Sequence, residues 1–297
     1  SIEEVIMAAL KDIKRKISAV GKTKQITKAM NMVAASKFKN AQTRMENFRP
    51  YAMKFMEVLN SLALRVDAKN HPLLALREPI RIRLICMTSD RGLCGGFNSN
   101  LIKVTERFIM EKAREGKEVT IIPIGRKARD YFRRKMKLIS ERTDVFGKFD
   151  ITLAVNIAND VIPPFISEEY DELYLIYNEF RNISIQRPVV VRLFPLPSIG
   201  REDAVDPDKR TEYIYEPSEE ELLDQLLPMY VHVLLFRALL ETSAGENGAR
   251  MAAMDNATKN CDELIETLSL KYNKARQSAI TAELMDIVGG TEALAKG

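Results

Sequence analysis

Tryptophan is absent from the 297 residues, and histidine occurs only at His71 and His232. Imidazole is the side chain that most often moves protons near neutral pH, so its scarcity argues against acid–base catalysis. His71 precedes Pro72 in a loop and His232 sits in an apolar helical run, and both read as structural. The three cysteines, Cys86, Cys94 and Cys261, are too few and too scattered for a disulfide framework. They also lack metal-finger spacing, so a reducing compartment and no bound metal are expected. No uninterrupted apolar run approaches 18 residues, so no membrane-crossing helix is expected. Glu3, Glu4 and Lys11 interrupt the only apolar stretch at the start, which argues against a secretory signal there.

What is present is unevenly charged. The net charge is only +4, yet residues 11–54 hold twelve Lys or Arg against two acids, Asp12 and Glu46. The remainder is therefore net acidic. A basic block of that length predicts an acidic partner, either nucleic acid or an acidic protein surface.

The same block carries a helical seam. Steps of three and four from Leu10 pass through Ile13, Ile17, Val20, Lys24, Thr27, Asn31, Ala34, Phe38, Ala41, Met45, Phe48, Ala52, Phe55, Leu59, Leu62 and Val66. All but Lys24, Thr27 and Asn31 are apolar, the a/d stripe of a coiled coil about 85 Å long. The last third repeats the pattern. Ser218 with Glu221 forms a capping box, and a seam runs from Leu226 through Val233, Leu240, Met254, Cys261, Leu264, Leu268, Lys271, Ala275 and Ser278 to Met285. Gly289 and Gly290 are expected to end that helix. Its polar interval is Ser243, Asn247 and Arg250. Setting the two polar intervals face to face pairs Asn31 with Ser243, Lys24 with Arg250 and Leu10 with Leu264, so facing residue numbers add to about 274. Residues beyond about 274, including Arg276 and Gln277, would then continue as a single helix.

Between the helices, apolar runs alternate with helical patterns. Strands are predicted over 80–88, 119–124, 173–177 and 189–194, with helices after the first two and from Asp150 to a stop at Pro163 and Pro164. The fold class is therefore a long antiparallel two-helix coiled coil built from the chain's two ends, plus a central three-layer, Rossmann-like α/β domain. The predicted division is 1–66 for the first helix, 67–216 for the α/β domain with an acidic linker, and 217–297 for the second helix.

Candidate chemistry is sparse. Gly21-Lys22-Thr23 resembles the end of a phosphate loop, but Lys16 stands where the pattern needs glycine, and the segment lies inside a helix. Ser89-Asp90-Arg91-Gly92-Leu93-Cys94-Gly95-Gly96-Phe97-Asn98 follows a strand and opens a helix, the place where α/β folds bind anions. It is not a dinucleotide fingerprint, and Cys94 has no neighbouring His to activate it. Asp90, Arg91, Gly92, Cys94, Gly95 and Gly96 are left as either an interaction loop or plain packing. No catalytic constellation, metal set or cofactor site emerges. A shaft or scaffold, a nucleotide-dependent enzyme and a nucleic-acid-binding coiled coil remain as readings. The enzyme lacks its phosphate loop, and the nucleic-acid binder lacks free aromatics.

Several segments resemble the gamma subunit of rotary ATP synthases of the bacterial type. They are Lys11-Asp12-Ile13-Lys14, Ile26-Thr27-Lys28-Ala29-Met30, Val33-Ala34-Ala35-Ser36-Lys37, the loop Thr88 to Asn98, Tyr215-Glu216-Pro217-Ser218, Tyr272-Asn273-Lys274-Ala275-Arg276-Gln277 and Ile280-Thr281-Ala282-Glu283-Leu284. The resemblance implies a non-catalytic central rotor without cofactor, metal or nucleic acid. Its partners would be three alpha and three beta subunits, epsilon, delta and the membrane c-ring. It implies a peripheral position at the cytoplasmic face of the bacterial inner membrane, with proton or sodium flow driving ATP synthesis. It also implies that Arg276 and Gln277 contact a beta-subunit loop, and that Lys22, Lys28 and Met30 pass an acidic beta segment. The cysteine pair of the chloroplast insert is missing, and Gly289-Gly290-Thr291-Glu292 is less alanine-rich than the family's usual ending.

Overall fold

The computed structural model describes residues 2–63, 71–196 and 218–295. Val66 and most of the acidic linker lie outside them. The chain divides into two compact units, Ser1–Val33 with Met251–Gly297, and Ala34–Arg250. Helices α1 (Ile2–Ala63) and α5 (Glu219–Ala295) contribute to both.

The first unit is an antiparallel helix pair. Leu10, Ile13, Ile17, Val20, Lys24, Thr27 and Asn31 of α1 are all buried or half-buried, as the seam predicts. The register is different. Thr27 Oγ1 lies 2.7 Å from Thr258 Oγ1, Asn31 Nδ2 donates to Met251 O at 2.9 Å, and Lys24 pairs with Asp262. Facing residue numbers add to about 285, not 274, an offset of about three helical turns. The seam on α5 also changes phase. Met254, Cys261, Leu268 and Ala275 hold their places, but Ile265, Tyr272 and Ala279 replace Leu264, Lys271 and Ser278 on the inner face. Leu264 is 47% exposed. The apolar stripe steps four then three rather than three then four, which moves every second position by one residue. The helix also continues through Gly289 and Gly290 to Ala295. A glycine cap is a preference at helix ends and not a requirement, so these two do not terminate α5.

In the second unit, β1 (Arg81–Met87), β2 (Glu118–Ile124), β3 (Glu172–Phe180) and β4 (Gln186–Phe194) form one sheet in the order β2-β1-β3-β4. β1 runs parallel to β2 and β3, and β4 closes the edge antiparallel to β3. Period-two alternation sends Ile82, Leu84 and Cys86 to one face. There they meet Leu101 of α2 (Phe97–Arg114) and Ala128 and Phe132 of α3 (Arg126–Phe132). Ile85 and Met87 point the other way, into a core with Ile157, Val161 and Phe165 of α4 (Ile151–Ile166), Leu59 and Leu62 of α1, and Leu227, Val231 and Leu239 of α5. This is the three-layer arrangement, with helices of the pair supplying part of one outer layer.

Asp150 caps α4 through Thr152 N at 2.9 Å. The helix does not stop at the two prolines but includes both. Their fixed φ suits its last turn, and their carbonyls accept from Ser167 N and Glu169 N, both at 2.9 Å. Ser218 Oγ accepts from Glu221 N at 3.2 Å, the expected cap of α5. By length and composition α5 contains a stretch apolar enough to cross a membrane. Leu223, Leu227, Val231, Leu235 and Leu239 in it are buried in the core of this unit. The polar interval Ser243, Asn247 and Arg250 does not face Lys24, Thr27 and Asn31. It lies in this unit, where Arg250 reaches the loop after β1.

Candidate partner-binding surfaces

On the helix pair, Lys22 and Lys28 are exposed and Met30 is half-buried. Gly21-Lys22-Thr23 lies in mid-helix, not in the strand-to-helix turn of a phosphate loop. Among the described residues neither Lys22 nor Lys28 forms an ion pair, whereas Lys16 bonds Asp12 at 2.8 Å and Lys259 bonds Asp255 at 2.7 Å. Ile26 and Met32 are 60% and 61% exposed on the same helix. Arg276 and Gln277 are both exposed. Arg276 is not on a lone helix. It lines a concavity of about 680 Å³ together with Leu10, Lys11 and Lys14 of α1 and Tyr272 and Glu283 of α5. The register places Arg276 near residue 9 of α1, so its distance from Lys22 and Lys28 along the pair is about 20 to 30 Å. The structure therefore forms two patches. Lys11 and Lys14 beside Arg276 were not legible without the correct register, whereas Tyr272 lies one turn away on the same helix.

In the second unit, the loop after β1 is held from inside. The carboxylate of Asp90 accepts from Arg126 N at 3.0 Å, Asp144 N at 2.8 Å and Phe146 N at 3.1 Å. Asn98 Oδ1 accepts from Ser89 N at 2.9 Å, and Asn98 Nδ2 reaches Cys94 Sγ at 3.2 Å. Burial pushes the Cys94 thiol up, against the opposing pull of Ser89 and Arg250, so it is not a poised nucleophile. Cys86 is pushed up to about 12 by burial. Arg250 donates to Gly92 O through Nε at 3.4 Å and Nη2 at 3.3 Å, and it bonds Glu246 at 2.6 Å. Asn247 Nδ2 donates to Ser243 O at 2.8 Å. Gly245 lets α5 approach closely, since a Cβ there would lie 3.0 Å from the Phe97 ring. Of the polar interval of α5, Arg250 is thus bound to this loop, while Asn247 bonds within its own helix. Arg91, Leu93, Gly95 and Gly96 form its exposed side.

His71 Nδ1 accepts from Leu73 N at 3.1 Å as the cap of a short 3-10 turn, and burial lowers its pKa against the pull of Asp224. Burial also lowers that of His232. Among the described residues no group of His, Cys, Asp or Glu converges as a metal site.

The class this defines is an antiparallel helix pair, with charged and apolar outer faces, formed by the helices that also pack an α/β domain. The ATP synthase family pattern matches residues 9–294. The "ATP synthase gamma chain" of Syntrophus aciditrophicus is 74% identical over 98% of this chain and 100% of its own, and that of Maridesulfovibrio salexigens is 48% identical over 97% and 99%. The central stalk of the Tetrahymena thermophila mitochondrial ATP synthase, at 30% identity, superposes with a TM-score of 0.59 over 78% of this chain and 99% of that one. A Euglena gracilis mitochondrial ATP synthase chain, at 19% identity, shares the fold with a TM-score of 0.68 over 97% and 95%. The chain belongs to the family of ATP synthase gamma chains, the central-stalk rotor subunits of a membrane-associated complex.

Proposed function

We propose that the chain acts as the non-catalytic shaft of its complex. It turns within a ring of three alpha and three beta subunits, stands with epsilon on the c-ring, and converts ion flow into conformational cycling of the beta sites. On this reading the complex, delta included, sits at the cytoplasmic face of a bacterial inner membrane, and the shaft needs no cofactor. We assign its helices to 1–66 and 217–297 and its α/β domain to 67–216, of which 1, 64–70, 197–217 and 296–297 lie outside the described residues.

The observation that supports this best is the contrast between two faces of α1 in the helix pair. The inner face is joined to α5 through Lys24, Thr27 and Asn31, while Lys22, Ile26, Lys28 and Met32 are left to solvent. Cations interleaved with exposed apolar side chains suit a partner surface that is acidic and partly apolar. Lys22, Lys28 and Met30 are assigned to that contact, and Arg276 and Gln277 to a second one farther along the pair. On the loop from Asp90 to Gly96, Arg91, Gly95 and Gly96 are available to a partner, and Asp90, Gly92 and Cys94 hold the loop in place.

Replacing Arg276 with alanine tests the second contact. The side chain is exposed, so the isolated chain should fold with its stability changed by no more than about 0.5 kcal/mol. ATP synthesis by the reconstituted complex should fall several-fold at an unchanged ion gradient. Undiminished synthesis would remove Arg276 from the contact. The purified chain alone should hydrolyse no ATP, and robust turnover without alpha and beta would overturn the shaft reading.

A further inference from the structure

Asp90 is a half-buried carboxylate on the first turn after β1, and its three hydrogen bonds come from widely separated parts of the second unit. Arg126 N opens α3, while Asp144 N and Phe146 N belong to the segment leading to α4. A carboxylate accepting several backbone N–H groups forms stronger, better-directed bonds than neutral acceptors do. Both ends of this anchor continue to the long helices. Two residues beyond Asp90, Gly92 O accepts from Arg250 of α5. Three residues beyond Phe146, Phe149 O accepts from Arg44 Nη2 of α1 at 2.5 Å, and the Arg44 guanidinium lies 4.4 Å from the Phe149 ring centre. The Phe149 ring also meets Phe236 of α5 with centroids 6.2 Å apart. A connected path therefore runs from α5 through Asp90 to the segment that both helices grip.

We infer that Asp90 is a positioning residue that makes the sheet and the helices of this unit turn as one body. The inference rests on the shaft reading. Torque entering through the α/β domain must reach the helices, and a loose junction would absorb rotation as internal twist. Core packing resists separation of these parts, but apolar contacts are non-directional and resist sliding weakly. Directed bonds at Asp90 fix the angle between them.

The test uses the whole complex in sealed vesicles, with ATP hydrolysis and the membrane potential it builds recorded together. Asp90→Ala removes all three bonds. Hydrolysis should stay within about two-fold of wild type while potential built per ATP hydrolysed falls about three-fold or more, the scale of couplings carried through packed networks. Asp90→Asn keeps the shape and loses one oxygen acceptor, so it should be intermediate. An unchanged ratio in Asp90→Ala would overturn the inference. If Asp90→Ala does not assemble, Asp90→Asn decides: a lowered ratio supports the coupling role, and a wild-type ratio reduces Asp90 to a folding contact. A wild-type complex that builds no potential would instead refute the shaft reading itself.

Discussion

Gly125→Ala is expected to cost the chain at least about 3 kcal/mol and to lower its thermal midpoint by about 6–12 °C. Gly125 sits between β2 and α3 at φ +94°, a conformation that L side chains rarely adopt. Space is an equally severe problem. A Cβ there would lie 2.2 Å from the carbonyl oxygen of Thr88, well inside contact distance and against backbone that cannot rotate away. Movement would break bonds on both sides, because Gly125 N donates to Arg142 O at 2.8 Å and Thr88 N donates to Ile124 O at 2.8 Å. Thr88 Oγ1 further accepts from Ala128 N at 2.8 Å. Thermal unfolding followed by circular dichroism checks this. A midpoint within 2 °C of wild type would mean that the β1 and β2 ends yield far more easily than their bonding implies.

Phe236→Ala is expected to cost about 3–5 kcal/mol, the usual range for emptying a buried aromatic site. Phe236 is 9% exposed on α5 and packs edge-on to Phe48 of α1, with centroids 4.9 Å apart, as well as against Phe149. Its ring thus touches α1 and the segment before α4 at once, and the sheet core lies just beyond. Truncation leaves a cavity that three separate elements would have to close together. Phe236→Leu should recover more than half of the loss, because it restores most of the apolar volume. Urea titration of the three proteins gives the comparison. Equal midpoints for the alanine variant and wild type would show that this cluster can collapse around the gap.

How far the sequence revealed these features follows from their physics. The α1 seam was legible because burial follows the three-and-four spacing at every seam position from Leu10 to Leu62. The strands were legible because alternation and apolar runs coincide with turn residues. Register was not. A shift of about three turns returns the same face of a helix to its partner, so seam polarity fits more than one alignment. Matching the polar intervals chose the wrong one, because Arg250 is bound to the loop after β1 and the Asn247 amide to the Ser243 carbonyl of its own helix, so neither answers Lys24, Thr27 or Asn31. The same error sent Arg276 onto an unpaired helix. Pro163 and Pro164 misled for a local reason: proline breaks a helix interior but not its final turn. Asp90 could be singled out as part of a glycine-rich loop. Its three donors are more than thirty residues away in sequence, and no local pattern marks them.

Gly245 is small enough to let α5 lie against Phe97, whose carbonyl accepts from Asn178 of β3 at 3.0 Å. That contact falls outside the carboxyl ends of β1 and β3. The chain leaves β1 for α2 on one face of the sheet, whereas β3 turns straight back into β4, so the paired crossover helices that flank a ligand crevice in open α/β folds are not found there. The protein's own helix lies over that place instead, with Gly245 against Phe97 and Gln186. A methyl group at position 245 would need the Phe97 ring or α5 to give way by a few tenths of an ångström, so the seat of this helix on the domain is cut to the size of a hydrogen atom.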